Sequence, residues 1–318
     1  MVITESLKSE TGSRVIITGG TGFIGRPLSL RLIHEGFDVV CLTRNASAAK
    51  NRERDRIKFV EWDGESAAGW SDFAEGAAAI INLAGESIGS GRWTEDKKRR
   101  ILQSRMNAGK AVTEAIKTLK RKPEVLIQAS AIGIYGNRGN EILDESYGPG
   151  EEFLTEVVQK WEESTREIEA SGVRRIAIRT GVVLGSTGGV LSRLLLPYRF
   201  FVGGPIGSGK QWMSWIHIED EIGSILFLLG RKDLNGAFNL TAPQPIQNKT
   251  FNRTLGKIIN RPSWLPVPSF LLKLFLGNMA EETILTSQRV LPTRLEETGF
   301  KFVFPDLTEA LADILGNL

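Results

Sequence analysis

Three glycines at a regular spacing are the residues whose chemistry follows most directly from the sequence. Gly19, Gly22 and Gly25 follow the short β-branched run Arg14 to Thr18 and open a helical pattern. Glycines let the chain turn tightly and let backbone N–H groups approach a pyrophosphate, and the helix N-terminus behind them carries partial positive charge. A second strand pattern, 37–43, completes a βαβ unit. The spacing therefore predicts a dinucleotide site; the alternative is a plain tight turn.

The end of the second strand indicates which dinucleotide is bound. An NAD site usually has Asp or Glu there to hold the ribose diol. This chain has Thr43, Arg44 and Asn45 instead. Because an arginine can pair with a 2′-phosphate through charge-assisted hydrogen bonds, the sequence favours NADP(H) over NAD(H). The alternative for Arg44 is an exposed loop cation.

Strands and helices alternate regularly around these residues. Further strand patterns lie at 57–62, 77–83, 125–130 and 175–179, and helical patterns at 96–119 and 154–170. This alternation predicts an α/β fold, a Rossmann-type doubly wound parallel sheet. We expect a cofactor domain of 13–184 plus 214–240. A smaller, mostly helical C-terminal lobe of 185–213 plus 241–318 should fold over the open edge of the sheet.

A second glycine-rich stretch imitates a different nucleotide motif. Residues 204–210 match the first seven positions of a P-loop, but Gln211 occupies the position where Ser or Thr should ligate magnesium. The following 212–216 read as a strand, whereas a P-loop requires a helix. We therefore expect a loop over the substrate cleft and no ATP site.

Composition excludes several other classes of protein. The net charge of +3, from 40 basic and 37 acidic residues, gives no electrostatic case for nucleic acid. With one cysteine, Cys41, and two histidines, the chain has neither a disulfide nor a zinc cluster, so no metal is expected. No uncharged apolar stretch reaches the roughly 18 residues of a membrane span. Residues 1–13 lack a signal-peptide core and read as a short disordered tail, so we expect a cytoplasmic location.

Four motifs resemble the extended short-chain dehydrogenase/reductase superfamily, which includes the sugar-nucleotide epimerases. They are Thr18 to Gly25, Asn82 to Gly85, Ser130 to Gly136 and Arg179 to Gly185. Narrower motifs resemble its atypical, NADP-binding "epimerase family" group, also called SulA-like after a proposed link to bacterial and plastid division. They include Gly85-Glu-Ser-Ile88, Gly203 to Gly209 and Trp215-Ile-His217. The similarity extends from about Arg14 to Leu311.

The resemblance implies a position for each part of the cofactor. The residues implied are Gly19, Gly22, Phe23, Ile24 and Gly25 for the pyrophosphate, Thr43 and Arg44 for the 2′-phosphate, Leu83, Ala84 and Gly85 for the adenine and ribose, and Arg105, which reaches the cofactor from the long helix. Asn107 matches the superfamily's helix asparagine.

The chain departs from the superfamily at the catalytic pair. Superfamily members use Tyr-x-x-x-Lys, in which the tyrosine is the acid or base and the lysine lowers its pKa. Those positions fall on Leu154 and Val158, which cannot move a proton. The usual catalytic serine is Ala131, and Ser130, one residue earlier, should face the opposite side of the strand. Tyr135 matches a tyrosine outside the proton-transfer pair.

Two functions remain open at this point. The first is an NADP(H)-dependent oxidoreductase of atypical mechanism, which acts on an unknown small molecule held between the sheet edge and the C-terminal lobe. Its candidate catalytic residues are Ser130, Glu86 and Asn107, each of which could instead be a structural polar group. The second is a non-catalytic NADPH sensor or scaffold for a protein partner, linked to cell or plastid division.

Overall fold

The computed structural model describes residues 13–49, 55–89, 91–277 and 279–316. Residues 1–12 of the expected tail lie outside them. The strands in the described ranges are β1 (Arg14–Thr18), β2 (Asp38–Thr43), β3 (Ile57–Glu61), β4 (Ala79–Asn82), β5 (Val125–Ala131), β6 (Ile142–Leu143), β7 (Arg174–Thr180), β8 (Val182–Leu184), β9 (Trp212–Met213), β10 (Trp215–His217), β11 (Gly236–Leu240), β12 (Ile246–Gln247) and β13 (Arg289–Val290). Seven of these form one parallel sheet in the order β11-β7-β5-β4-β1-β2-β3.

Helices flank both faces of the sheet, and others belong to the C-terminal segment. They are α1 (Gly25–His34), α2 (Ala46–Ala49), α3 (Glu95–Thr118), α4 (Phe153–Glu163), α5 (Leu191–Arg199), α6 (Ile218–Gly230), α7 (Asn248–Ile258), α8 (Ser269–Leu276), α9 (Thr293–Glu297) and α10 (Leu307–Gly316). A single π-helical turn spans Ala280–Ile284. Along β1, Val15 and Ile17 pack towards α1 and α6, whereas Ile16 packs towards α3. Both faces of the sheet are thus buried, because successive side chains of a strand point to opposite faces and helices cover each face. The predicted doubly wound fold is confirmed.

The sheet reverses its winding between β1 and β4. The chain runs outward through β2 and β3, then returns to the other side of β1 to form β4. Ligands of doubly wound sheets bind outside the carboxyl ends of the strands at such a switch point. The glycine turn after β1 lies at this place.

One predicted helix is shorter than expected. The pattern over 154–170 predicts one helix, but α4 ends at Glu163 and a 3₁₀ segment follows at Arg166–Ser171. The Glu162 carbonyl accepts hydrogen bonds from the side chains of Arg175 and Thr165. Because these side chains take the carbonyl that would continue the helix, α4 stops there.

The C-terminal segment packs on its own apolar core, which α5, α7 and α10 share. The strand expected at 212–216 is interrupted at Ser214, so that β9 pairs with β12 and β10 pairs with β8. Gln288 joins this lobe to the sheet because its amide donates to the carbonyls of Ile132 at 3.0 Å and Gly136 at 3.1 Å. Among the described residues, no helix combines the length and the apolar character needed to cross a membrane.

Candidate cofactor and substrate site

The glycine turn is shaped by close backbone approaches. The Gly22 N–H donates to the Gly19 carbonyl at 2.9 Å. A Cβ on Gly19 would lie 3.1 Å from the carbonyl carbon and oxygen of Leu83, and a Cβ on Gly25 would collide with the Gly19 carbonyl. Only glycine therefore fits these two positions, and the turn leaves its backbone open to a ligand.

Buried polar side chains fix the neighbouring strand end. Thr18 Oγ1 donates to Asn82 Oδ1 at 2.6 Å and accepts the Ala84 N–H at 3.0 Å. Asn82 Nδ2 donates in turn to Gln128 Oε1 at 2.9 Å. These bonds join three adjacent strands and hold the backbone from Leu83 to Gly85 against the glycine turn.

Thr43 and Arg44 end the strand beside the turn. The register of β1 and β2 sets Thr18 against Leu42, so Thr43 and Arg44 follow directly at the same sheet edge. Arg44 is exposed, and Thr43 is half-buried and accepts the Asn45 N–H at 3.4 Å. The position leaves the Arg44 guanidinium accessible to a phosphate.

Phe23 does more than line the turn. Its ring carbons lie 2.9–3.2 Å from the positions that a Cβ would take on Gly185, Gly188 and Gly189. The ring therefore packs on the loop between β8 and α5 and connects the glycine turn to the C-terminal lobe. Sequence reasoning assigned Phe23 to the pyrophosphate and missed this contact, which depends on residues more than 160 positions away.

Arg105 lies beneath the strand-end loop. Its Nη1 donates to the carbonyls of Glu86 and Ile101 at 3.0 Å each, and its guanidinium lies 4.8 Å from the Trp161 ring centroid. A Cβ on Gly85 would lie 3.1 Å from Arg105 Cζ. Burial lowers the pKa of Arg105 to about 10, so the group is still a cation near neutral pH.

Two catalytic candidates lie on or beside α3. The Glu86 carboxylate accepts from Lys97 Nζ at 2.6 Å and from Arg100 Nε at 3.3 Å, and the bond from Lys97 is the main cause that lowers its pKa. An ionised, paired carboxylate is poorly suited to proton transfer near neutral pH. Asn107 is half-buried on α3, two residues beyond Arg105.

Ser130 belongs to a polar network on the other side of the strand. Its hydroxyl donates to Glu162 Oε1 at 2.5 Å, and Arg179 Nε donates to the same oxygen at 3.0 Å. Arg179 Nη1 also donates to the Tyr135 hydroxyl at 3.1 Å, which donates to Asn239 Oδ1 at 2.7 Å. Burial raises the pKa of Tyr135. This geometry favours a structural role for Ser130 and Tyr135, and a catalytic role for Ser130 stays an untested prediction.

The positions of the usual catalytic pair are filled by aliphatic packing. Val158 is buried against Ile132 and Ile134, and Leu154 is half-buried. The Cβ of Leu154 lies 3.7 Å from where a Cβ on Gly133 would stand. A short, apolar side chain at Leu154 leaves space in front of the turn that follows β5.

That space opens into a cavity of about 480 Å³. Gly133, Gly136 and Leu154 form its wall on the sheet side, and residues of the C-terminal lobe also line it. The ionisable residues that line it are Glu152, Lys273, Glu281 and Glu282. Its volume lies within the usual range for small-molecule sites.

Two carboxyl groups of the cavity differ in their surroundings. Burial raises the pKa of Glu282, whose Oε2 accepts the Leu154 N–H at 2.8 Å. Burial acts on Glu152 in the same direction, but backbone N–H groups of Asn137 and Glu151, at 2.8 and 3.1 Å, lower its pKa overall. Carboxyl groups whose pKa values are driven apart are a common basis for acid and base roles. Sequence reasoning missed both residues because no local motif marks them.

The residues present fit a dinucleotide. The turn closes so tightly that a Cβ at Gly25 has no room. The N-cap residue of α1, Ile24, makes no side-chain hydrogen bond to the first N–H groups of the helix in the described structure. An exposed cation, Arg44, lies at the end of β2. Backbone N–H groups at a helix N-terminus suit a pyrophosphate.

The fold and this site define a class. Residues 15–241 match the NAD dependent epimerase/dehydratase family, and the chain belongs to that family. Residues 267–314 match a domain of unknown function, DUF1731, which contributes Lys273, Glu281 and Glu282 to the cavity.

Named relatives narrow the class further. The chain is 41% identical over 304 residues to the epimerase family protein YfhF of Bacillus subtilis, covering 95% of this chain and 98% of that protein. It is 38% identical to the chloroplastic SDR39U1 homolog of Arabidopsis thaliana, covering 99% and 90%. The crystal structure of human SDR39U1 with NADPH superposes with a TM-score of 0.86 at 31% identity, covering 96% of this chain and all of that one. Since one relative is named chloroplastic, the cytoplasmic location stays a prediction.

Proposed function

We propose that this protein binds NADP(H) and is an oxidoreductase that acts on a small molecule in the cavity beside Leu154. The observation that carries the proposal is the cavity itself, which opens where superfamily members place their catalytic tyrosine. NADPH in the human relative supports the choice of cofactor.

The cofactor would be held by the chain's switch-point residues. The N–H groups of the glycine turn would bind the pyrophosphate, and Arg44 with Thr43 would bind the 2′-phosphate. The adenosine side of the cofactor would lie against Leu83, Ala84 and Gly85, with Arg105 beneath this loop. When bound, the cofactor supplies or accepts a hydride. Leu154 and Val158 would present only apolar side chains to it.

Glu282 is the group that we assign to proton transfer in the cavity. Its pKa is raised by burial and, to a smaller extent, by the neighbouring charges of Glu152 and Glu281, so it holds its proton at higher pH than an exposed carboxyl. The bond from the Leu154 N–H fixes one carboxyl oxygen and leaves the other to a substrate. Glu152, whose pKa is lowered, would accept hydrogen bonds from that substrate.

A second candidate function is a non-catalytic NADPH sensor or scaffold, with a role in cell or plastid division. The aliphatic packing at Leu154 and Val158 favours it, because the superfamily's proton-transfer pair is replaced by two side chains that cannot move a proton. In that case the cavity would bind a regulatory ligand or nothing.

Isotope transfer separates the two candidates. The purified protein is incubated with a small-molecule extract and NADPH deuterated at the hydride position, and products are searched for deuterium by mass spectrometry. A labelled product that is absent with Glu282→Gln but present with Glu281→Gln supports the oxidoreductase. A protein that binds NADPH yet labels nothing in any extract contradicts it and leaves the sensor.

A further inference from the structure

The C-terminal lobe presents a surface that, apart from Lys273, does not belong to the proposed cofactor and substrate site. It is built from residues 191–210 and 248–274, which we call the basic–aromatic face. Trp264 joins the two segments through its Nε1, which donates to the Phe201 carbonyl at 3.2 Å, and its backbone N–H, which donates to the Gly203 carbonyl at 3.0 Å. A bridge between Ile206 and Val267 continues the connection.

Large apolar side chains project from this face. Phe200 is 70% exposed, Trp264 64% and Phe270 65%. The others that are more than one-third exposed are Leu196, Phe201, Val202, Leu265 and Leu274. Scattered single apolar residues are normal on a surface, but a cluster of this size marks an interaction site.

The charge of the face is one-sided. Residues 191–210 and 248–274 contain eight Lys or Arg and no Asp or Glu, a net charge of +8. Because the whole chain carries +3, the remainder carries −5. Among the described residues, Lys273 is the one of these eight with a carboxylate partner, Glu281 at 2.6 Å. Arg261 stacks on Phe201, with its Cζ 4.6 Å from the ring centroid, so cations and aromatic rings share the same surface.

We propose that the basic–aromatic face docks this protein on an anionic lipid bilayer as a peripheral protein. Cations attract the anionic headgroups, and exposed Trp, Phe and Leu side chains insert at the boundary between headgroups and acyl chains. A second copy of this chain fits poorly, because two faces of net charge +8 would repel each other. An acidic polypeptide also fits less well, because large apolar side chains that are more than half exposed suit insertion among lipids.

Vesicle flotation with the full chain tests the proposal. The probes are vesicles of phosphatidylcholine alone and vesicles that contain about one-third phosphatidylglycerol, each at low and high salt. We expect binding to the anionic vesicles, a loss at high salt and little binding to the neutral ones.

Two double variants and one control locate the surface. Phe200→Ser with Trp264→Ser should abolish insertion, and Arg199→Glu with Arg261→Glu should weaken binding at least about twentyfold, since each cation near an anionic surface contributes about fivefold. The control variant combines Val303→Ser with Lys301→Glu, which change an exposed apolar side chain and an exposed cation outside the face. It should bind the anionic vesicles as the unchanged protein does. Thermal unfolding shows that each variant is folded.

Three outcomes would overturn the proposal. The first is an absence of binding to both vesicle types. The second is binding to neutral vesicles as strong as to anionic ones. The third is a dimer in analytical ultracentrifugation that Trp264→Ser dissociates, which would assign the face to a second copy.

Discussion

Glu282 accepts a hydrogen bond from the backbone N–H of Leu154, although 128 residues separate them along the chain. Leu154 occupies the position at which the superfamily has its tyrosine, so a carboxyl group from the C-terminal lobe meets the sheet where the usual acid is missing. We propose that this contact makes the DUF1731 segment part of the substrate site.

Glu282→Gln should reduce isotope transfer about 100-fold or more, the usual contribution of a positioned acid or base. If the acid form is required, turnover in the reducing direction falls as pH rises through the raised pKa of Glu282. The glutamine variant should lose that limb of the pH profile. Glu281→Gln is the matched control: it lies on the same π-helical turn, lines the same cavity and pairs with Lys273. Equal effects of both variants would contradict the assignment.

Gly25→Ala should abolish NADPH binding. The new Cβ collides with the Gly19 carbonyl, so the turn that presents its N–H groups must open. Isothermal titration with NADPH measures the loss, and Gly148→Ala, where no heavy atom lies within 4 Å of the new Cβ, should bind normally. Retained affinity in a folded Gly25→Ala protein would show that the turn does not hold the cofactor.

Ser130→Ala tests whether this residue is structural. The variant loses a hydrogen bond to the Glu162 carboxylate, and the free energy of unfolding should fall by about 1.5–3 kcal/mol. NADPH affinity and the pH profile of isotope transfer should stay unchanged. Ser146→Ala, which removes an exposed bond to Asp144, should change stability by less than about 0.5 kcal/mol. A loss of turnover without a loss of stability would instead make Ser130 catalytic.

Burial raises the pKa of Glu221 to about 8. Its Oε1 accepts from Thr180 Oγ1 at 2.8 Å, and its other oxygen has no partner among the described residues. The folded state prefers the protonated form of Glu221. The contribution of this group to the free energy of unfolding is therefore fully present below the pKa of the carboxyl in the unfolded chain, near 4.5, and is lost as pH rises towards 8. The loss is at most about 5 kcal/mol.

Denaturant unfolding across this pH range measures the effect of Glu221. Glu221→Gln should flatten the dependence, because an amide does not ionise, whereas the exposed Glu219→Gln should leave it unchanged. The same slope in the Glu221→Gln protein would assign the titration to another group.

Local patterns predicted the cofactor half of the protein well. The strand at Arg14–Thr18 has the predicted bounds, and α3 begins and ends within one residue of its pattern. These elements combine strong hydrophobic periodicity with glycine or capping signals, which act within a few residues.

The substrate half depends on contacts between distant segments, which such patterns do not contain. Glu282 was missed because nothing near it in the sequence distinguishes it from an exposed carboxyl. The end of α4 was missed because its cause is Arg175, on the next strand. Ser130 looked available for chemistry until the structure placed Glu162 opposite its hydroxyl.

Cofactor selectivity tests the central claim most directly. Affinities for NADPH and NADH are measured by titration with the unchanged protein and with Arg44→Glu. One charge-assisted contact to the 2′-phosphate contributes about 1.5–3 kcal/mol, so NADPH should bind roughly ten- to a hundredfold more tightly, and the variant should lose that preference. Equal affinities for the two dinucleotides, or a preference that survives Arg44→Glu, would contradict the account.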